Sequence, residues 1–193
     1  SLAAAAQTAM ADGIPVFLGG DHALSLGSVA RVGRHAAAQG RPQFVLWLDT
    51  HSDFHTAQSS HSGNLHGTPL AYLTGRNGFP VLDNPIQEAN VCMVGLRSVD
   101  PAEHAALVHS QIARHDMRDI DETGIAKPLA QFLTRVASAG ETRHVSLDVS
   151  LDVDFLDPSV APAVGTNVPG GADRTRSASG DGNAARQRID DIA

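Results

Sequence analysis

Leu46-Trp47-Leu48-Asp49-Thr50-His51-Ser52-Asp53-Phe54-His55 is the stretch whose reading sets the fold. It continues an apolar run, Phe44-Val45-Leu46-Trp47-Leu48, that is short and bounded by polar residues. A run of that length predicts a strand buried on both faces, as in a parallel sheet. Asp49, His51 and Asp53 then follow at every second position. In extended backbone, side chains two apart share a face. Two carboxylates and an imidazole therefore converge at the carboxyl end of the strand, where open α/β sheets hold their ligands. Polar residues alternating by chance in a loop would read the same way, so the rest of the chain has to decide.

Outward from that stretch, strand and helix signals alternate. Residues 1–12 are Ala-rich and predict a helix stopped by Gly13. Ile14-Pro15-Val16-Phe17-Leu18 reads as a strand ended by Gly19-Gly20, and a helix is expected from about Ala23 to Gln39. A long polar loop, 50–67, leads to a helical segment at 68–75; loops of that length usually carry function. Asn90 to Leu96 reads as another buried strand. Asp100-Pro101-Ala102-Glu103 has the N-cap, the proline and the third-position glutamate of a helix start. A short strand near 112–115, a helix from about Thr123 to Ala139 and a last strand at roughly 143–153 complete the pattern. The expectation is an α/β fold, a three-layer α/β/α sandwich around a parallel sheet. From Ala172 to Ala193 the only large apolar residues are Ile189 and Ile192, so residues 172–193 are expected to be a disordered tail on a domain spanning 1–171.

Composition narrows the class. At 193 residues and 42% hydrophobic, the chain can bury the core of one domain. A net charge of −7 argues against a nucleic-acid surface. The single cysteine, Cys92, lies in an apolar run and excludes a disulfide within the chain, which fits a reducing compartment. No apolar stretch approaches the ~20 residues of a membrane span, and no basic region precedes an apolar segment at the N-terminus. The expectation is a cytoplasmic protein with a small-molecule substrate, binding neither nucleic acid nor membrane.

Three polar clusters fall at predicted strand ends. The first is Gly19-Gly20-Asp21-His22, where Asp21 also qualifies as an N-cap. The second is Asp49/His51/Asp53. The third is Asp152-Val153-Asp154, where an Asx turn is the competing reading. Together they offer His22, Asp49, His51, Asp53, Asp152 and Asp154. Hard carboxylate oxygens with imidazole suit Mn²⁺, and six ligands suit two ions. Four carboxylates would balance two divalent charges and would repel one another without them. Zinc would be expected to draw on thiolate or fewer carboxylates.

Five motifs occur in the order found in ureohydrolases: Gly19-Gly20-Asp21-His22, Asp49-Thr50-His51-Ser52-Asp53, Ser62-Gly63-Asn64-Leu65-His66-Gly67, Gly95-Leu96-Arg97-Ser98-Val99-Asp100 and Asp152-Val153-Asp154-Phe155-Leu156-Asp157-Pro158. Over about residues 14–171 the chain resembles an arginase, and Ser-Gly-Asn-Leu-His-Gly favours arginase over agmatinase. The resemblance implies the arginase fold and a centre of two Mn²⁺ ions. His22, Asp49, Asp53 and Asp152 would serve one ion or bridge both, with His51 and Asp154 completing the other. It implies hydrolysis of L-arginine to L-ornithine and urea by a metal-activated hydroxide. His66 would move protons and Asp53 would act catalytically as well as ligating. Ser62 and Asn64 would bind the substrate α-carboxylate, Asp100 would face the α-amino group, and Thr166 would line the pocket. A homotrimer or hexamer is the family's usual assembly.

The chain also departs from that pattern. His55 stands where many arginases carry an asparagine on the α-carboxylate and would still bind substrate there through one donated hydrogen bond, and Ser98 replaces an aspartate. Ser146-Leu147-Asp148-Val149 is repeated at once as Ser150-Leu151-Asp152-Val153, which reads as an insertion in a core strand. Four is an even shift, so the faces of the pleat survive it. Phe155-Leu156-Asp157-Pro158 anchors the turn and selects Asp152 and Asp154, leaving Asp148 surplus. After Gly170-Gly171 the family's further helices and strands, and a pocket glutamate, have no counterpart, so a truncated or frame-disrupted copy is expected. The alternatives are a non-catalytic remnant and a ureohydrolase of agmatine or a guanidino acid.

Overall fold

A computed structural model of the chain describes residue 8 and residues 13–76, 78–142 and 144–173. The expected N-terminal helix, except for the helical Thr8, and the tail beyond 173 lie outside the described residues. A 3-10 turn, His22–Leu24, runs into α1 (Ser25–Ala38), followed by β1 (Gln43–Leu48). The long loop closes with a 3-10 turn, Leu65–Gly67, before α2 (Pro69–Leu73). β2 (Val91–Leu96), α3 (Pro101–Val108), β3 (Ala113–Asp116), α4 (Met117–Thr123), α5 (Ala126–Gly140) and β4 (Ser146–Leu151) follow. The four strands form one parallel sheet in the order β3-β2-β1-β4.

Period-two alternation divides the core into two layers. Val45 and Trp47 of β1 and Met93 of β2 pack with Val29 of α1, Leu70 and Leu73 of α2 and Leu107 of α3. Phe44, Leu46, Cys92 and Val94 point the other way, onto Met117 and Ile120 of α4 and Phe132 and Val136 of α5. Helices on both faces of a parallel sheet make the expected three-layer α/β/α arrangement, and all six residues of β2 are buried.

Three elements differ from the sequence reading. Ile14–Leu18 has the composition of a strand but enters no ladder among the described residues, and Ile14, Val16 and Leu18 are exposed. Strand propensity is realised only against a partner. The single helix expected over 123–139 is split: Gly124, at φ 76°, ends α4, and α5 begins at Ala126. β4 stops at Leu151 because Asp152 turns its side chain onto the Asp154 N–H, 3.0 Å away, and starts a 3-10 turn.

At the carboxyl end of the sheet, β2 and the segment after β4 meet unusually closely. Gly95 sits at φ 101° in an irregularity of the β2–β3 pairing. A Cβ there would fall 2.4 Å from the Phe155 ring. Only glycine permits both the backbone and the contact. Ala172, assigned to the tail by composition, is buried and pairs with Leu156.

Candidate metal centre

β1 delivers Asp49 immediately after its last residue, and the buried carboxylate is held by three donors. The His51 N–H reaches Oδ1 at 2.8 Å, while the Trp47 indole N–H (3.2 Å) and the His22 Nδ1–H (2.8 Å) reach Oδ2. Each oxygen therefore faces a different histidine. Asp49 is common to two overlapping groups of close ligand atoms, His22/Asp49/Asp152 and Asp49/His51/Asp154.

His22 comes from the turn ahead of α1, where Asp21 caps the Ala23 N–H. The imidazole stacks on Trp47, ring centroids 4.1 Å apart. One nitrogen, Nδ1, faces Asp49, Asp53 and Asp152 at 2.8, 3.1 and 3.4 Å. The other meets the Ser150 hydroxyl at 2.8 Å. A single imidazole nitrogen amid three carboxylates is how a metal ligand would be directed. His51 repeats the arrangement, its Nδ1 lying 3.1 Å from Asp154 and 3.6 Å from Asp49.

Asp53 does not arrive by strand alternation as the sequence suggests. It is left-handed at φ 50°, the sole non-glycine described with positive φ. Such backbone costs on the order of 1 kcal/mol or more and gathers at functional sites. The strain turns Oδ2 into the cluster, where it is buried without a hydrogen bond because the nearby His22 N–H is aimed at Asp49. A buried carboxylate oxygen with no donor suits a cation, and so does the donor set of two imidazoles and four carboxylates.

The electrostatics agree with a site built for positive charge. Burial opposes the charged form of His22, yet its hydrogen bond to Asp49 and the nearby charges of Asp53 and Asp49 push it up to about 10. His51 is pushed up to about 10 likewise, against burial, by Asp154 and Asp49. Asp49 is held well below the usual carboxylate range, since its two histidines outweigh burial. Burial, helped by the Asp49 charge, pushes Asp53 up to about 7 against the pull of His22. Burial also raises Asp152.

Several supporting residues are less visible in sequence. Arg97 donates from Nη2 to the carbonyls of Asp154 (2.6 Å), Val168 (2.9 Å) and Leu156 (3.3 Å), and from Nε to Val168 (3.1 Å). It ties the end of β2 to the backbone that bears Asp154. A Cβ on Gly171 would lie 2.6 Å from Arg97 Nη2, so that turn admits only glycine beside the guanidinium. Thr50 fixes the same segment, its hydroxyl donating to the Asp154 carbonyl at 2.6 Å. Ser150 was foreseeable, being two residues before Asp152 on the same face. Trp47 reads as core in sequence, and its second use through the indole N–H leaves no signal.

Asp148 lies away from the cluster, in the middle of β4 and opposite Val45. It accepts from Gln43 Nε2 at 2.7 Å, and burial pushes it up to about 7. Ser62 and Asn64 are exposed on the loop and interact through the Asn64 N–H and the Ser62 hydroxyl at 3.2 Å. His66 is exposed beside Asp21, Nδ1 to Oδ2 3.5 Å. Thr166 is exposed on the 158–171 loop. That loop is drawn together by Asp157, which accepts from Ser159 and from the Gly170 and Gly171 N–H groups. Asp100 caps α3 and meets His55 at 3.0 Å, with Glu103 beneath. The structure thus gathers the six expected ligands into one cluster, sets His55 with Asp100, and leaves Ser62, Asn64, His66 and Thr166 on exposed loops.

Comparison with known proteins agrees with this geometry. A profile described as the Arginase family matches residues 1–179. The arginase of Brucella melitensis biotype 1 is 56% identical over 176 residues, covering 89% of this chain and 56% of that protein. The arginase of Agrobacterium fabrum is 53% identical over 162 residues, covering 82% of this chain and 49% of that protein. A solved arginase from Bacillus caldovelox superposes with a TM-score of 0.82 at 33% identity, over 99% of this chain and 62% of that one. The chain spans about half the length of the curated relatives it matches. With its fold, its clustered ligands and these likenesses, the chain belongs to the arginase family.

Proposed function

We propose that the chain carries the metal centre of an arginase, hydrolysing L-arginine to L-ornithine and urea, with residues 1–171 as the unit that bears it. The observation behind this reading is the pair of His/Asp groups that share Asp49 at the sheet's carboxyl end, with a donorless Asp53 oxygen buried between them. His22, Asp49, Asp53 and Asp152 would hold one ion, and His51 and Asp154, with the shared carboxylates, a second. Two Mn²⁺ ions, when bound, supply Lewis acidity and a water of lowered pKa.

This chain's own residues set the geometry around that chemistry. Trp47 and Ser150 fix the plane of His22, and Thr50 and Arg97 fix the segment bearing Asp154. Asp53 offers an acceptor oxygen aimed into the cluster. His66 sits on an accessible loop, from which it would carry a proton to the leaving amine. Ser62 and Asn64 would donate to the α-carboxylate, Asp100 would receive the α-amino group, and Thr166 would line the same mouth. The arginase of Entamoeba histolytica, 27% identical with a TM-score of 0.73, was solved with L-ornithine, a ligand that fits this reading.

A non-catalytic, metal-binding unit is the second reading. The apolar stripe Val149, Leu151 and Val153, each more than half exposed, favours it, because a finished arginase core would be expected to cover such a face. Urea release from Mn²⁺-loaded chain, with L-arginine and agmatine side by side, decides between them. Urea from arginine alone is expected, and a chelator should abolish it. Urea from agmatine would instead indicate a sibling ureohydrolase, and none from either would leave the metal-binding unit.

A further inference from the structure

Beside the metal centre stands a second group of acid and imidazole side chains: His55, Asp100 and Glu103. His55 lies two residues after the strained Asp53, is buried, and has its backbone N–H fixed on the Gly67 carbonyl at 3.1 Å. Both ring nitrogens are engaged. Nε2 lies 3.0 Å from Asp100 Oδ2 and 3.6 Å from Glu103 Oε2, and Nδ1 lies 3.1 Å from the Ser59 hydroxyl. The Ser59 oxygen also accepts the Thr56 N–H at 2.9 Å, and with the ring proton on Nε2 its hydroxyl donates to Nδ1, a closer acceptor than the Thr56 carbonyl at 3.5 Å. A carboxylate can only accept, so Nε2 carries the ring proton and donates it to Asp100.

Glu103 completes the joint. It is buried, accepts the Phe54 N–H at 2.9 Å through Oε1, and accepts the Asp100 N–H at 3.1 Å through Oε2. The N-terminus of α3 is thereby attached twice to the loop that carries Asp53, once by Glu103 and once by His55. Asp100 itself is largely exposed, so His55 fixes one oxygen while most of the carboxylate faces solvent. A ring satisfied at both nitrogens has no donor left for a ligand.

We propose that His55 is a positioning residue, which aims the Asp100 carboxylate at the substrate's α-amino group and so sets selection for that group, without itself touching substrate. The ligand's identity rests on the arginase reading; the brace rests on the geometry of His55.

Two measurements test it. Imidazole ¹⁵N spectra of the chain, with no paramagnetic ion present, should place the His55 proton on Nε2, and Asp100→Asn should shift that nitrogen. Calorimetry on the Mn²⁺-loaded chain then compares L-ornithine with 5-aminopentanoate, the same molecule without the α-amino group. His55→Ala should weaken ornithine about tenfold and leave 5-aminopentanoate within about twofold, since one charge-assisted hydrogen bond is lost from the amino subsite alone. His55→Gln, which keeps a donor where Nε2 stands, should restore ornithine binding. Equal weakening of both ligands would mean that His55 contacts the carboxylate, and would overturn the proposal. If neither ligand binds the unmodified chain, the arginase reading fails, and the spectra alone decide the brace. A proton on Nδ1, or no response to Asp100→Asn, would overturn it.

Discussion

Arg97 concentrates more structure than its motif suggests. Its guanidinium satisfies backbone carbonyls of the Asp154 segment and of the turn at Val168, sharing the Asp154 carbonyl with the Thr50 hydroxyl. Arg97→Ala should cost roughly 2 kcal/mol, because partly buried carbonyls lose a charged donor. Arg97→Lys should recover less than half of that, since one ammonium cannot reproduce a planar fork. Urea unfolding of the two variants checks both. The protonated histidines of the centre lead to a second expectation. At neutral pH His22 and His51 each hold a proton that a metal must displace, and Asp53 is partly protonated as well. Mn²⁺ uptake should therefore release about two protons, and affinity should rise with pH through neutrality. Calorimetry in buffers of different ionisation enthalpy measures the release. A pH-independent affinity would mean that these groups are not the ligands.

Among the elements, β4 is the one the sequence leaves most open. The tandem repeat allows two placements differing by four residues, and local pattern cannot separate them because both keep the same face inward. The choice comes from downstream, where Phe155 packs against Gly95 and Asp157 gathers its loop. The consequence is an extra aspartate, Asp148, in mid-strand against α1. Its folded value, about 7, lies above the unfolded value near 4. The folded state thus holds the extra proton between those values. The stabilisation is complete below about pH 4 and is lost as pH rises through about 7, a change on the order of 2–4 kcal/mol. Asp148→Asn should remove that slope and raise stability at pH 8, as read from unfolding midpoints across pH. β1, β2, β3 and the capped start of α3 were legible because burial, length and capping residues agree there. Ile14–Leu18 was misread because nothing in a strand's own residues reports whether a neighbour is present. Asp53 reaches the cluster, but not by the alternation that singles it out in the sequence: alternation ends at His51, and a left-handed turn supplies the stretch's second carboxylate.

Across the whole molecule, polar chemistry gathers at the sheet's carboxyl end while apolar surface stays open along β4 and at residues 14–18. Val149 and Leu151 of β4 and Val153 of the turn that follows are exposed, and Ile14, Val16 and Leu18 are more exposed still. No helix among the described residues is long and apolar enough to cross a membrane, so this surface is not explained by a spanning helix. Among the described residues β4 is also an edge strand, with one side of its backbone unpaired in the sheet order. An apolar edge of this kind recruits another chain. The weight-average mass in sedimentation should rise with concentration, and Val149→Lys should shift it toward the monomer by placing a charge on that edge. A mass independent of concentration in the unmodified chain would refute this expectation.

The four-residue repeat has a bearing on descent as well. Four extra residues in the upstream part of β4, an even number, are compatible with Asp152 and Asp154 meeting His22 and His51. An odd number would have turned every following side chain through the sheet. A change of length by an even number of residues at this place would therefore leave the chemistry in register, so long as the turn from Phe155 to Gly171 keeps its hold on the end that matters.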